Sequence, residues 1–213
     1  MTHRAPARKH AFARIFALPL ISAIGLFCIC TLAACSGPKV AAAALHGDDI
    51  SGLMPPLDFT LTGPSGATFT AADVRGKTVL LFFGYTHCPG ICPATLAELA
   101  QSLKRLGPEA AAAVRVLFVS VDPKRDSGRP LGSYASQFGP QFIGLTGTDD
   151  QLTSLTKRYR VAYRRDAPDA HGDYAVYHSS AVFVFDRDGN ARLLATPAET
   201  SDQLAEDLQT VIR

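Results

Sequence analysis

Charge is sparse in this sequence of 213 residues: Asp, Glu, Lys and Arg together make up 19%, against 47% hydrophobic residues. Those are globular proportions, so disorder is excluded as the default state, and the chain is long enough to bury a core. Basic character is scarcer still once position is considered. The net charge of +2 rests on Arg4, Arg8, Lys9 and Arg14; without those four, 17 basic residues face 19 acidic ones, a net of −2. No basic stripe remains beyond the amino terminus, which excludes a nucleic-acid partner. Internal repeats are absent too. Cysteine is thin: of five, only Cys88 and Cys92 lie beyond residue 35.

One long apolar run is present, and it sits at the start. Residues 1–14 carry positive charge, and Ile15 to Ala34 (IFALPLISAIGLFCICTLAA) is uncharged and mostly apolar. A run of ~20 apolar residues is a signal-peptide core or a membrane span. Leu32-Ala33-Ala34-Cys35 matches the bacterial lipoprotein signal, in which small residues precede a cysteine that takes up lipid. The expected organisation is a lipoprotein signal peptide over 1–34, a flexible tether over 35–53 anchored by lipid on Cys35, and a folded domain over 54–213. An uncleaved anchor helix is the other reading. Both put the domain outside the cytoplasm, facing the periplasm or cell exterior, because the basic flank stays inside. His46 falls in the tether and is expected in solvent. Cys28 and Cys30 lie in the apolar run, so Cys88 and Cys92 are the domain's pair: a disulfide, a redox centre or a metal site.

Within the domain, Leu57–Leu61 is expected as a short edge strand before the Gly63–Gly66 turn. Thr78–Tyr85 and Val114–Val121 are continuous apolar runs, as in strands buried on both faces. Leu96, Leu99, Leu103 and Leu106 recur at helical spacing, with Gly107-Pro108 closing that helix. A short helix around Tyr134 and Phe138 leads to a strand at Phe142–Leu145. Asp149 or Asp150 is expected to cap a helix through Tyr159. Ala181–Phe185 turns through Asp186–Asn190 into Ala191–Ala195 as a hairpin, and Thr200 with Gln203 opens a last helix as a capping box. Alternating strands and helices imply parallel core strands, to which the hairpin adds antiparallel ones. The fold class is α/β: a sandwich with a mixed sheet flanked by helices.

The segment Gly84–Pro93 (GYTHCPGICP) joins the first core strand to its helix, where α/β sheets bind ligands. Pro93 fits a first helical position, which puts Cys92 at or near the N-cap, where the helix terminus lowers a thiol pKa. Cys88 and Cys92, four apart, can close a disulfide or hold a soft metal; thiolate selects copper(I) or zinc. In a thioredoxin-like sheet the loop entering the AVFVF strand faces the cysteine loop and usually carries a cis-proline. Here that loop holds His178. Two sulfurs and one imidazole leave an open, three-coordinate site, whereas a structural zinc takes four closed ligands.

With GYTHCPGICP, VSVDPKRD (Val119–Asp126) and YHSS ahead of VFVFDRDG, the chain from about Leu57 onward resembles the Sco/SenC family. These are thioredoxin-like copper chaperones for the binuclear copper A site of cytochrome c oxidase. The resemblance implies that Cys88, Cys92 and His178 bind copper, as Cu(I), Cu(II) or both. It implies a partner in the oxidase subunit carrying the copper A site, a monomeric chain, and membrane attachment through the lipid. Asp122 and Asp126 match a family motif near the metal and the partner surface; a local turn at Asp122-Pro123 and a helix cap from Asp126 account for them equally well. Gly90 departs from the family, which often has an acidic residue there. His87 is expected in solvent and His171 on the surface. The alternative function is a thiol–disulfide oxidoreductase that keeps the copper A cysteines reduced.

Overall fold

The computed structural model describes residues 45–212. The signal-peptide segment, Cys35 and the first part of the tether lie outside the described residues.

The longest apolar runs build the centre. β4 (Thr78–Gly84) is buried along its whole length because it lies between two other strands. It pairs in parallel with β5 (Val114–Ser120), which pairs in parallel with β6 (Phe142–Leu145). On its other side β4 meets β9 (Val182–Phe185) antiparallel, and β9 turns into β10 (Ala191–Ala195) as the expected hairpin. The Asp186 carboxylate accepts the Asp188 and Asn190 amides in that turn, and Gly189 takes the positive φ of +86°. With β1 (Asp48–Asp49) added on β10, the six-stranded sheet runs β1-β10-β9-β4-β5-β6.

Helix α1 (Ile91–Leu106) buries Cys92, Leu96, Leu99, Leu103 and Leu106 on one stripe and packs against α5 (Ser201–Ile212). Each fully buried Leu contributes about 1.5–3 kcal/mol. Gly107, at φ +86°, ends α1, and Pro108 opens α2 (Pro108–Ala112), a short helix where the sequence suggested only a stop. α3 (Gly128–Ser136) packs on β6. α4 (Asp149–Arg158) is capped by Thr148 with Gln151 in a capping box, not by Asp149 or Asp150, which form its acidic first turn. The Thr200–Gln203 box opens α5 as expected.

Three local features differ from the sequence reading. The strand expected over Leu57–Leu61 is β2 (Thr60–Thr62), paired with β3 (Thr68–Thr70) in a separate ribbon. A second ribbon, β7 (Tyr163–Arg165) with β8 (Val176–His178), lies in a stretch too polar to read as strand. Residues 45–53, expected as the end of the tether, make contacts with the domain. The His46 and Gly47 amides donate to the buried Asp207 carboxylate at 2.9–3.0 Å, β1 joins the sheet, and Ile50 is buried. Among the described residues no helix is long and apolar enough to cross a membrane.

Candidate metal centre

The loop between β4 and α1 sits at the carboxyl end of a central parallel strand. Gly90 is the N-cap of α1, so Ile91 is its first residue and Cys92 its second; Pro93 is its third, two positions later than the sequence suggested. Cys88 remains in the loop, partly exposed, and Cys92 is fully buried. Both are free thiols. Gly84 makes room for the inner one: a Cβ there would stand 2.9 Å from Cys92 Sγ and 2.6 Å from a Phe118 ring carbon.

His178 reaches the pair from the end of β8. Its Nδ1 lies 2.9 Å from the Ser179 carbonyl, so that nitrogen carries the proton and donates it. Nε2 is left with its lone pair, 3.1 Å from Cys92 Sγ, and accepts the thiol hydrogen. The ring packs edge-on against Phe82 and Tyr85. One donor atom each from Cys88, Cys92 and His178 lies within 4.8 Å of the others, the one such group of three among the described residues. No cis peptide bond stands at the loop entering β9.

The two thiols are electrostatically unequal, and in the reverse of the expected sense. Burial pushes the Cys92 thiol far up, and the neighbouring Cys88 and Asp126 push it further. Burial raises Cys88 as well, but the amides of Gly90, Cys92 and Ile91 and the Cys92 thiol outweigh it and hold Cys88 below its ordinary value. The first turn of α1 therefore directs its N–H groups at the loop sulfur, not at the cysteine within the helix; the Cys92 amide lies 3.4 Å from Cys88 Sγ. Burial lowers the His178 pKa, which keeps the imidazole neutral and able to donate its lone pair.

Asp126 does not cap α3, whose N-cap is Ser127 without a side-chain bond. Its carboxylate points back to the cysteine loop. It accepts the Thr86 amide (2.7 Å), the Thr86 hydroxyl (2.5 Å) and the Ser120 hydroxyl (2.6 Å). Asp126 thereby holds the residue two positions before Cys88. The Asp122 carbonyl accepts the Arg125 and Asp126 amides, the expected turn, while its buried carboxylate accepts from Arg125 and Tyr174. Neither aspartate belongs to the group of three donors.

His87 is exposed and faces the Thr86 hydroxyl (3.0 Å) and Asp126 (3.6 Å) rather than the sulfurs. His171 is exposed in the turn from Asp169 to Asp173, and His46 pairs with Glu206. The sequence reading missed Gly84, Thr86, Ser120 and Tyr174. Thr86 and Gly84 lie inside GYTHCPGICP, where a signal existed; Tyr174 lies in a polar stretch and carried none.

Soft sulfurs with one imidazole suit copper(I) or zinc, and three donors leave the site open. The SCO1/SenC family profile matches residues 55–213. The chain is 37% identical over 153 residues to the mitochondrial protein SCO2 homolog of Bos taurus, covering 71% of this chain and 58% of that one. It spans 58%, 60% and 50% of the length of the matching relatives from cattle, mouse and human. The solved structure of Bradyrhizobium japonicum ScoI with copper bound matches at TM-score 0.67 and 34% identity, over 74% of this chain and 99% of that one. Yeast Sco1 with copper bound matches at TM-score 0.67 and 31% identity, over 73% and 87%.

Proposed function

The chain belongs to the SCO1/SenC family, and from that premise we propose that it is an extracytoplasmic copper chaperone whose cargo is held by Cys88, Cys92 and His178. The observation that carries the reading is the convergence of two free thiols and a neutral imidazole within 4.8 Å at one end of the sheet. Copper-bound relatives of the same fold support copper over zinc as the cargo.

The chemistry of the three donors divides the work. Cys88 is partly exposed and the readier thiolate, so it meets an incoming ion first. Cys92 gives up its proton as it bonds to the metal, which makes binding tighter as pH rises. His178 offers Nε2 without losing a proton, because its Nδ1–H is already committed to Ser179. Two bonds to sulfur and one to nitrogen leave a position for a donor from the receiving protein, and exchange through it moves the ion without releasing it to water. The proposed recipient is the cytochrome c oxidase subunit carrying the copper A site. Lipid on Cys35 would hold a monomeric domain at the membrane, facing the periplasm or cell exterior.

Copper(I) titration of the reduced full chain tests this. One equivalent bound through sulfur and nitrogen is expected, and His178→Ala should abolish tight binding while leaving disulfide exchange largely intact. Copper binding by His178→Ala equal to the parent's would refute the donor set. Failure of the parent to bind copper, with disulfide exchange retained, would give the site to thiol–disulfide chemistry instead.

A further inference from the structure

The metal end of the molecule holds one dense polar cluster outside the donor set. The Asp122 carboxylate, fully buried, accepts the Tyr174 hydroxyl on Oδ1 (2.6 Å) and Arg125 Nε on Oδ2 (2.5 Å). Arg125 Nη2 donates to the Tyr174 carbonyl (3.1 Å). The guanidinium carbon stands 3.7 Å from the centre of the Tyr174 ring and 5.6 Å from that of Tyr85. Tyr85 in turn meets the His178 ring edge-on, with centroids 6.1 Å apart. A chain of direct contacts therefore runs from Asp122 through Arg125 and Tyr85 to the third donor.

Topology says why such a cluster is needed. His178 ends β8, and β7 with β8 forms a two-stranded ribbon of its own, outside the six-stranded sheet. Cys88 and Cys92 are placed by β4 and α1, at the centre of the fold. No strand ladder joins the ribbon to that centre; beyond the short link from His178 to β9 through residues 179–181, side chains hold it. Arg165 Nε bonds the Val121 carbonyl (2.8 Å) from the turn end of the ribbon, where it pairs with Val176, and the Asp122–Arg125–Tyr174 cluster grips the returning limb four residues before His178. A planar guanidinium can bond a carboxylate, bond a carbonyl and stack on an aromatic face together; an ammonium cannot.

We propose that Arg125, held by Asp122, is a positioning residue for the third copper donor, latching Tyr174 and the His178 limb over the cysteine pair. The proposal rests on His178 acting as a donor.

The test is a double-mutant cycle on copper(I) affinity of the reduced full chain, read by competition with a copper(I) chelator. Arg125→Met keeps an apolar stem and removes the guanidinium. It is expected to weaken copper(I) binding about tenfold, within the range for outer-shell partners of metal ligands. In a His178→Ala background the same change is expected to cost nothing further, since no imidazole remains to be positioned. Copper(II) bound to Arg125→Met should also show a weakened imidazole nitrogen signature in electron paramagnetic resonance, and Arg125→Lys should show the same weakening. Tyr174→Phe, which keeps the ring and removes the bond to Asp122, should weaken binding in the same direction and again only with His178 present; it carries the cycle should Arg125→Met fail to fold. Unchanged affinity in the single variants, or equal losses with and without His178, would overturn the latch while leaving the donor set standing. Unchanged affinity in His178→Ala itself would overturn both.

Discussion

Three amides of one helical turn, from Gly90, Ile91 and Cys92, converge on the Cys88 sulfur, while Cys92 lies beneath them without exposed surface. Thiolate is the nucleophile, so Cys88 should react with iodoacetamide well before Cys92. The rate should rise with pH and reach half its plateau below the ordinary thiol value of about 8.5, because the Cys88 pKa is depressed and that of Cys92 is raised. Mass mapping of the alkylated peptide checks it; modification of Cys92 first would contradict the assignment. Gly84 is the steric counterpart. An alanine there would place its Cβ inside contact distance of both Cys92 Sγ and the Phe118 ring. Gly84→Ala is expected to destabilise the domain by about 1–3 kcal/mol through overpacking. It should also weaken copper binding, since the inner sulfur must move; chemical denaturation and metal titration measure the two effects.

At the scale of elements, one carboxylate fixes the start of the first described segment, ahead of the β1–β10 pairing. Asp207, on α5, accepts the amides of both His46 and Gly47 and is buried. Asp207→Ala would leave those donors unpaired, at a cost of about 1–3 kcal/mol. The expected result is a lower Tm and faster proteolysis between Leu45 and Ile50. A chain whose tether ran free to residue 53 would show neither change. The helices illustrate what sequence spacing conveys. Leu96, Leu99, Leu103 and Leu106 marked the buried stripe of α1 correctly, because a 3.6-residue period depends only on local geometry. The cap of α4 lies one residue before Asp149 and two before Asp150, since Thr148, Asp149 and Asp150 are all competent caps and only the observed backbone selects among them.

For the whole molecule, copper would bridge two parts that no backbone ladder connects: the β4–α1 loop and the β7–β8 ribbon. A ligand that binds only the folded state raises stability by about 2.7 kcal/mol at one hundred times its Kd. Copper(I) should therefore raise the Tm and slow amide exchange over residues 163–178, and a chelator should reverse both. Protection gained only near Cys88 and Cys92 would argue that His178 is not engaged. The sequence alone determined the buried strands β4, β5 and β9, the stripe of α1 and the C-terminal hairpin, and it singled out the candidates Cys88, Cys92 and His178 that the fold brings within 4.8 Å, because apolar runs, helical spacing and the CPGIC and YHSS motifs are local patterns. It also led to the family. Only the tertiary structure decided which cysteine is the more acidic, that Asp126 reaches back to Thr86 and does not cap α3, and that Arg125 and Tyr174 meet over Asp122. Those outcomes depend on burial and on contacts between residues 40 to 52 positions apart, which no local pattern encodes.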